Sequence, residues 1–157
     1  MKSKLFLLSL LFCLFLVSAP AVMAQGGVRS GPDPSTVRDP DLEKDSLHNL
    51  EVARNYFKLK KAYVAALRRC EEIIAGNPNF AKIEEVLFIA GRSSLALADS
   101  KGKQPPSLYS KDTTSEQFRT MGRDYLTKLV KDYPNSSFAK DAQDDLRLLD
   151  AGAKPTP

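Results

Sequence analysis

Two adjacent stretches of the chain carry apolar and small residues at helical spacing, and a proline follows the second stretch. These residues are Leu50, Ala53, Phe57, Tyr63, Ala66, Cys70, Ile73 and Pro78. Residues three or four apart share one face of a helix, so the pattern predicts two amphipathic helices. The apolar phase restarts at Tyr63, which predicts a tight turn before it. The stretch therefore predicts an antiparallel helical hairpin and an all-α fold.

The junction that ends this hairpin occurs twice. Segments 74–82 and 130–140 each contain a helix end, a proline, a cap and Phe-Ala-Lys at the start of the next helix. Pro78 and Pro134 lie farther apart than the roughly 34 residues of a helical-hairpin repeat. Residues 99–115, with Gly102 and Pro105-Pro106, account for the excess. We interpret them as an exposed loop inserted in the second repeat, and a disordered connector is the alternative.

The apolar pattern predicts five helices between residues 39 and 150, about two and a half hairpins. Asp39 is the expected cap of the first helix and Asn79 of the third, while Gly76 is expected to end the second in a left-handed conformation. Thr113 and Thr114 begin two overlapping capping boxes for the fourth helix. The segment 135–137 is expected to cap the fifth.

The first 24 residues are typical of a secretory signal peptide. Lys2 and Lys4 precede an apolar run at 5–17, which is shorter than the roughly 20 residues of a membrane-spanning helix. Cleavage is expected after Ala24, which implies export. A lipoprotein cut before Cys13 is the alternative. Residues 25–38 are predicted to be a flexible tether, and residues 151–157 a disordered tail.

Charge and cysteine content argue against a nucleic-acid-binding protein and against a fold stabilised by disulfides. Loss of Lys2 and Lys4 with the signal peptide lowers the formal net charge from +4 to +2, too little to favour a nucleic-acid partner. One cysteine, Cys70, remains, so the core must form without an intramolecular disulfide.

An enzyme or metal site is not indicated. His48 is the only histidine, Cys70 is expected in the core, and no glycine loop or paired metal-ligand motif is present. Asp141, Asp144 and Asp145 alternate with basic residues and are expected to form a solvated face. The sequence thus predicts a protein without catalysis, cofactor or metal.

The hairpin pattern resembles a tetratricopeptide repeat. More narrowly, segments 49–57 (NLEVARNYF), 62–66 (AYVAA) and 133–136 (YPNS) are similar to BamD-type outer-membrane assembly lipoproteins. The resemblance implies a scaffold for insertion of β-barrel proteins into the bacterial outer membrane, in the periplasm or at the periplasmic face of that membrane, with the assembly machinery or other envelope proteins as partners. That family carries a lipidated N-terminal cysteine, whereas Cys13 is poorly placed for lipidation, so we expect membrane association at most peripheral or through partners. The alternative is a periplasmic adaptor of the Tol-Pal type in envelope or cell-wall organisation.

The first helices of stacked hairpins line a concave side, where a partner is expected to bind. The positions opposite the packing stripe are His48, Glu51, Asn55 and Lys58 on the first helix and Lys82, Glu85, Ile89 and Arg92 on the third. We interpret these eight residues as a mixed polar groove for a peptide. A solvated helix face is the alternative reading, because every amphipathic helix has one. Ile89 would be its apolar anchor or would pack on the fifth helix.

Overall fold

The computed structural model describes residues 38–152, which form five α-helices in sequence order. They are α1 (Pro40–Arg54, extended by a π-helical segment at Asn55–Lys60), α2 (Tyr63–Gly76), α3 (Ile83–Ala98), α4 (Ser115–Asp132) and α5 (Ala139–Asp150). No strand occurs within this range. The predicted all-α fold of helical hairpins is confirmed. The predicted signal peptide, residues 25–37 of the tether and residues 153–157 of the tail lie outside the described residues.

The predicted start of α1 is confirmed. The Asp39 carboxylate accepts hydrogen bonds from the backbone N–H of Asp41 at 2.8 Å and of Leu42 at 3.3 Å, and Pro40 occupies the first turn. The chain leaves the π-helical segment through Lys61, whose φ of 51° is left-handed. This residue provides the sharp reversal into α2 that the restart of the apolar phase predicts.

The junction between α2 and α3 differs from the prediction. Gly76 is the last residue of α2 and has no positive φ, and α3 begins only at Ile83, so Asn79 is not its cap. Instead, the Glu43 carboxylate of α1 accepts the backbone N–H of Ala81 at 3.2 Å and the side-chain amide of Asn77 at 3.2 Å. A carboxylate distant in sequence thus replaces the local caps.

The later helix starts follow the sequence more closely. Of the two overlapping capping boxes, the structure uses Thr114 with Gln117: the Thr114 hydroxyl accepts the Gln117 N–H, and the Gln117 side chain accepts the Thr114 N–H. The fifth helix begins at Ala139, later than segment 135–137 predicts, and the Ser136 hydroxyl holds the turn before it by accepting the Phe138 N–H.

The core is continuous through all five helices, and α3 lies at its centre. The largest fully buried side chains are Phe118, Leu50, Leu67, Ile73, Leu87, Ile89, Leu97, Leu126 and Leu129. Helices α3 and α4 cross closely at Gly91 and Gly122, where a Cβ on Gly122 would lie 3.0 Å from the Gly91 carbonyl oxygen. The absence of side chains there permits the close packing.

The segment between α3 and α4 is ordered and packs on α2, so it is not the disordered connector of the alternative interpretation. The Lys103 N–H donates to the Lys61 carbonyl at 2.9 Å, and the Gln104 side chain accepts the Ala65 N–H at 3.0 Å. Ala62, at the cap position of α2, has no side-chain acceptor, so Gln104 satisfies a donor of the first turn. The insertion is therefore part of the first hairpin's structure.

Gly102 allows this segment to approach α2. Its φ is +93°, and a Cβ there would lie 2.5 Å from both the Lys61 carbonyl oxygen and the Tyr63 ring. We expect Gly102→Ala to lower the free energy of unfolding by about 2 kcal/mol in urea titrations, because the clash adds to the backbone strain. Gly76→Ala is the matched control, since its Cβ meets nothing within 4 Å. Equal effects of the two substitutions would contradict this account.

Candidate functional site

The four predicted site residues on the first helix lie on its solvent-facing surface, which we call the α1 strip: His48, Glu51, Asn55 and Lys58. His48, Glu51 and Asn55 line a shallow, open depression of about 330 Å³. Lys58 lies in the π-helical segment, where each residue turns the chain through a smaller angle than in an α-helix, so its direction departs from that of the other three. The strip is thus exposed, as the sequence predicts.

Of the predicted site residues on and next to α3, one is exposed and the others contact neighbouring helices or the core. Lys82 is exposed at the helix start, whereas Glu85 lies at the contact with α1. Nε of Arg54 donates to Oε1 of Glu85 at 2.6 Å, and a second guanidinium nitrogen contacts the other carboxylate oxygen. This hydrogen-bonded pair raises the pKa of Arg54 above its usual value. Glu85 therefore connects two helices and is not a free groove residue.

Arg92 makes the corresponding contact between α3 and α5. Its Nε donates to Oδ2 of Asp145 at 2.6 Å and its Nη2 to Oδ1 at 3.2 Å, while its guanidinium lies 4.4 Å from the centre of the Phe88 ring. Asp145 is only 3% exposed. The expectation that Asp145 belongs to a solvated face is wrong. Burial raises the pKa of Asp145, and the guanidinium of Arg92 opposes that rise.

The prediction that Ile89 lies on an exposed groove is also wrong. It is 2% exposed and belongs to the core, so it cannot be an apolar anchor on an open groove. Nearly every residue of α3 is buried, because the helix is enclosed by its neighbours. Its sequence, Ile-Glu-Glu-Val-Leu-Phe-Ile-Ala-Gly-Arg-Ser-Ser-Leu-Ala-Leu-Ala, is apolar around most of the helix, which is typical of a buried helix. That signal could have excluded Ile89.

A second polar cluster fixes the inserted segment. The Tyr109 hydroxyl donates to Oε1 of Glu71 at 2.8 Å, and the Tyr125 hydroxyl lies 3.4 Å from the same oxygen. Burial raises the pKa of Glu71, and burial together with the neighbouring carboxylate raises the pKa of Tyr109 to about 12. Nη2 of Arg68 donates to the Leu108 carbonyl at 2.9 Å. No local sequence pattern indicates this cluster, since its members come from three separate segments.

The described residues carry neither a metal-binding group nor a membrane-spanning helix. Between residues 38 and 152, no three histidine, cysteine, aspartate or glutamate side chains are arranged to hold a metal. Cys70 is fully buried, which confirms its predicted place in the core, and burial raises the pKa of its thiol. Within the same range, each helix is either too short or too polar to cross a bilayer.

Comparison with known proteins identifies the family. The sequence model of the YfiO family, which is described as an outer membrane lipoprotein family, matches residues 49–152. This match begins within α1 and ends at Gly152, two residues beyond α5, so it includes most of the α1 strip and all of the inserted segment. Comparisons with curated proteins and with solved structures gave no match. Because the matched region covers well over half of the chain, this protein belongs to the YfiO outer membrane lipoprotein family.

Proposed function

We propose that this protein is a non-enzymatic scaffold of the bacterial envelope that takes part in the assembly of β-barrel proteins in the outer membrane. Membership of an outer membrane lipoprotein family supports the envelope location. Stacked helical hairpins support a scaffold, because such arrays present extended surfaces to other proteins.

The observation that carries the proposal is the contrast between α1 and α3. The α3 face is occupied by the pairs Arg54–Glu85 and Arg92–Asp145 and by buried Ile89. On the α1 strip, the side chains of His48, Asn55 and Lys58 make no hydrogen bond or ion pair with any residue between 38 and 152. The free surface is therefore on α1.

A helical or extended segment of a partner would lie along this surface. The α1 strip combines an imidazole, a carboxylate, an amide and an amine, so it can donate and accept hydrogen bonds along about three helical turns. Lys82 is exposed at the start of α3, while Glu85, Arg92 and Ile89 act indirectly by fixing the position of α3. We propose that the partner contacts His48, Glu51, Asn55 and Lys58.

A photocrosslinking amino acid at Asn55 tests the site and the partner together. Expressed in the native envelope, the Asn55 variant is expected to capture components of the barrel-assembly machinery. The same amino acid at Lys140, which is exposed at the start of α5, is the control and should capture at least roughly tenfold less, as expected if contacts are concentrated in a small surface. Capture of wall-synthesis or Tol-type proteins at Asn55 would instead favour the adaptor alternative.

The double variant His48→Ala/Asn55→Ala provides a second readout. Both side chains are exposed, so the free energy of unfolding should change by less than about 0.5 kcal/mol while partner capture falls. Unchanged capture by this folded variant, or equal crosslinking at Asn55 and Lys140, would contradict the proposed site.

A further inference from the structure

A second surface lies at the end of the domain where α1 turns into α2. We call it the basic tip, and it consists of Leu59, Lys60, Lys61 and Lys103, all exposed. The first three are consecutive, and the backbone hydrogen bond from Lys103 to the Lys61 carbonyl, 2.9 Å long, adds the fourth from the inserted segment. The fold thus brings together basic residues that are distant in the sequence.

The positive charge of the basic tip is not neutralised within the domain. No carboxylate between residues 38 and 152 lies within ion-pair distance of Lys60, Lys61 or Lys103, and the Lys60 ammonium lies 5.0 Å from the centre of the Tyr56 ring. Asp99 is the acidic residue of the inserted segment closest to Lys103 in sequence, and its carboxylate is almost buried and paired with Lys101 and Arg119. The tip is therefore locally basic although the whole chain carries little net charge.

An apolar side chain projects from the middle of these amines. Leu59 is 75% exposed, the highest value among the exposed large apolar residues of the described chain. Lys60 and Lys61 follow it directly, and Lys58 of the α1 strip precedes it. A leucine among lysines on flexible stems suits a bilayer interface, where the leucine enters the acyl boundary and the ammonium groups remain among the headgroups.

We propose that the basic tip docks on a bilayer surface that contains anionic phospholipid. An acidic protein is less well matched, because lysine lacks the planar fork with which arginine pairs to carboxylates, and because the apolar side chain of Leu59 is 75% exposed among the lysines. Lipid headgroups need no fixed arrangement of donors. This proposal does not depend on which protein occupies the α1 strip.

Vesicle flotation of the mature protein, purified from its native host, tests whether the lysines of the basic tip attract it to anionic lipid. The parent should bind vesicles of phosphatidylethanolamine with phosphatidylglycerol more tightly than vesicles of phosphatidylcholine, and added salt should weaken binding. Each lysine near an anionic surface contributes about fivefold, so Lys60→Gln/Lys61→Gln/Lys103→Gln should lose roughly a hundredfold. The matched control is Lys44→Gln/Lys131→Gln/Lys140→Gln, which removes equal charge from exposed residues at the opposite end.

A fluorescent label tests whether Leu59 enters the membrane, even if the amino terminus is itself anchored. An environment-sensitive dye on Leu59→Cys should shift to the blue with anionic vesicles, whereas the dye on Leu42→Cys, at the far end of α1, should not. Buried Cys70 is the same in both proteins.

Equal losses in the two lysine triples, no preference for anionic vesicles, or equal dye shifts at the two positions would overturn the proposal. Binding to polyglutamate without vesicle binding would assign the tip to an acidic protein and overturn it too.

Discussion

Replacement of Arg92 by methionine is expected to lower the free energy of unfolding by about 3 kcal/mol at neutral pH, measured by urea titration. The substitution keeps the apolar stem but removes both hydrogen bonds to Asp145, a residue that is 3% exposed. A buried charge that loses its partner is strongly destabilising, whereas a surface pair contributes little. Arg147→Met is the control, because Arg147 pairs with Asp144 in solvent.

The same variant should show a distinctive pH dependence. Burial already raises the pKa of Asp145, and loss of Arg92 removes the charge that opposes the rise. A carboxyl group with a raised pKa in the folded state binds its proton more readily there than in the unfolded chain. Its contribution to stability is therefore present below the unfolded pKa and is lost as pH rises through the folded pKa. The deficit of Arg92→Met relative to the parent should thus shrink between pH 7 and about pH 4. A deficit independent of pH would exclude an unpaired Asp145 as its cause.

Truncation of Phe118 to alanine should destabilise the domain by about 3–5 kcal/mol, the range for a buried phenylalanine. Phe118 is fully buried in the first turn of α4, and its ring meets Tyr109 edge to face at 5.3 Å between centroids. The substitution leaves a cavity beneath the inserted segment, so both the helix and the segment lose contacts. The change is measured as a shift of the urea midpoint at constant slope.

Two comparisons define the origin of this loss. Phe118→Leu should cost much less, because it retains most of the buried volume, and Leu148→Ala should change stability little, because Leu148 is 39% exposed. If Phe118→Ala and Leu148→Ala had similar effects, Phe118 would not be the packing centre that its burial indicates. A normal midpoint with faster proteolysis near Tyr109 would likewise assign Phe118 to the inserted segment alone.

The sequence predicts those features that depend on neighbouring residues. Asp39 caps α1, Thr114 and Gln117 start α4, and the five helices follow the 3.6-residue period because a cap or an amphipathic face is encoded within a few positions. Ala53, Ala66 and Cys70 are in the core for the same reason. A helical hairpin can thus be recognised from one repeat of the pattern.

Features that depend on distant partners could not be predicted in this way. The start of α3 depends on Glu43 of α1 and not on Asn79, and the burial of Asp145 depends on Arg92, which lies in another helix. Of the candidate site, the α1 strip was predicted correctly as an exposed face, whereas Ile89 was not, although the apolar composition around most of α3 indicates a buried helix. Whether the strip binds a partner stays a prediction.

The cap that Gln104 provides to α2 has a consequence for how the domain assembles. In a simple array each hairpin contacts only its neighbours, so folding can begin anywhere and spread one repeat at a time. Here the first hairpin lacks its cap until residues beyond α3 are present, and Tyr109 and Glu71 join the same two segments. During synthesis, the first hairpin therefore lacks this hydrogen bond until the segment that contains Gln104 has been made. We therefore expect the contacts of Gln104 and Tyr109 with α2 to make the array fold and unfold as one cooperative unit, not by fraying from its amino-terminal end.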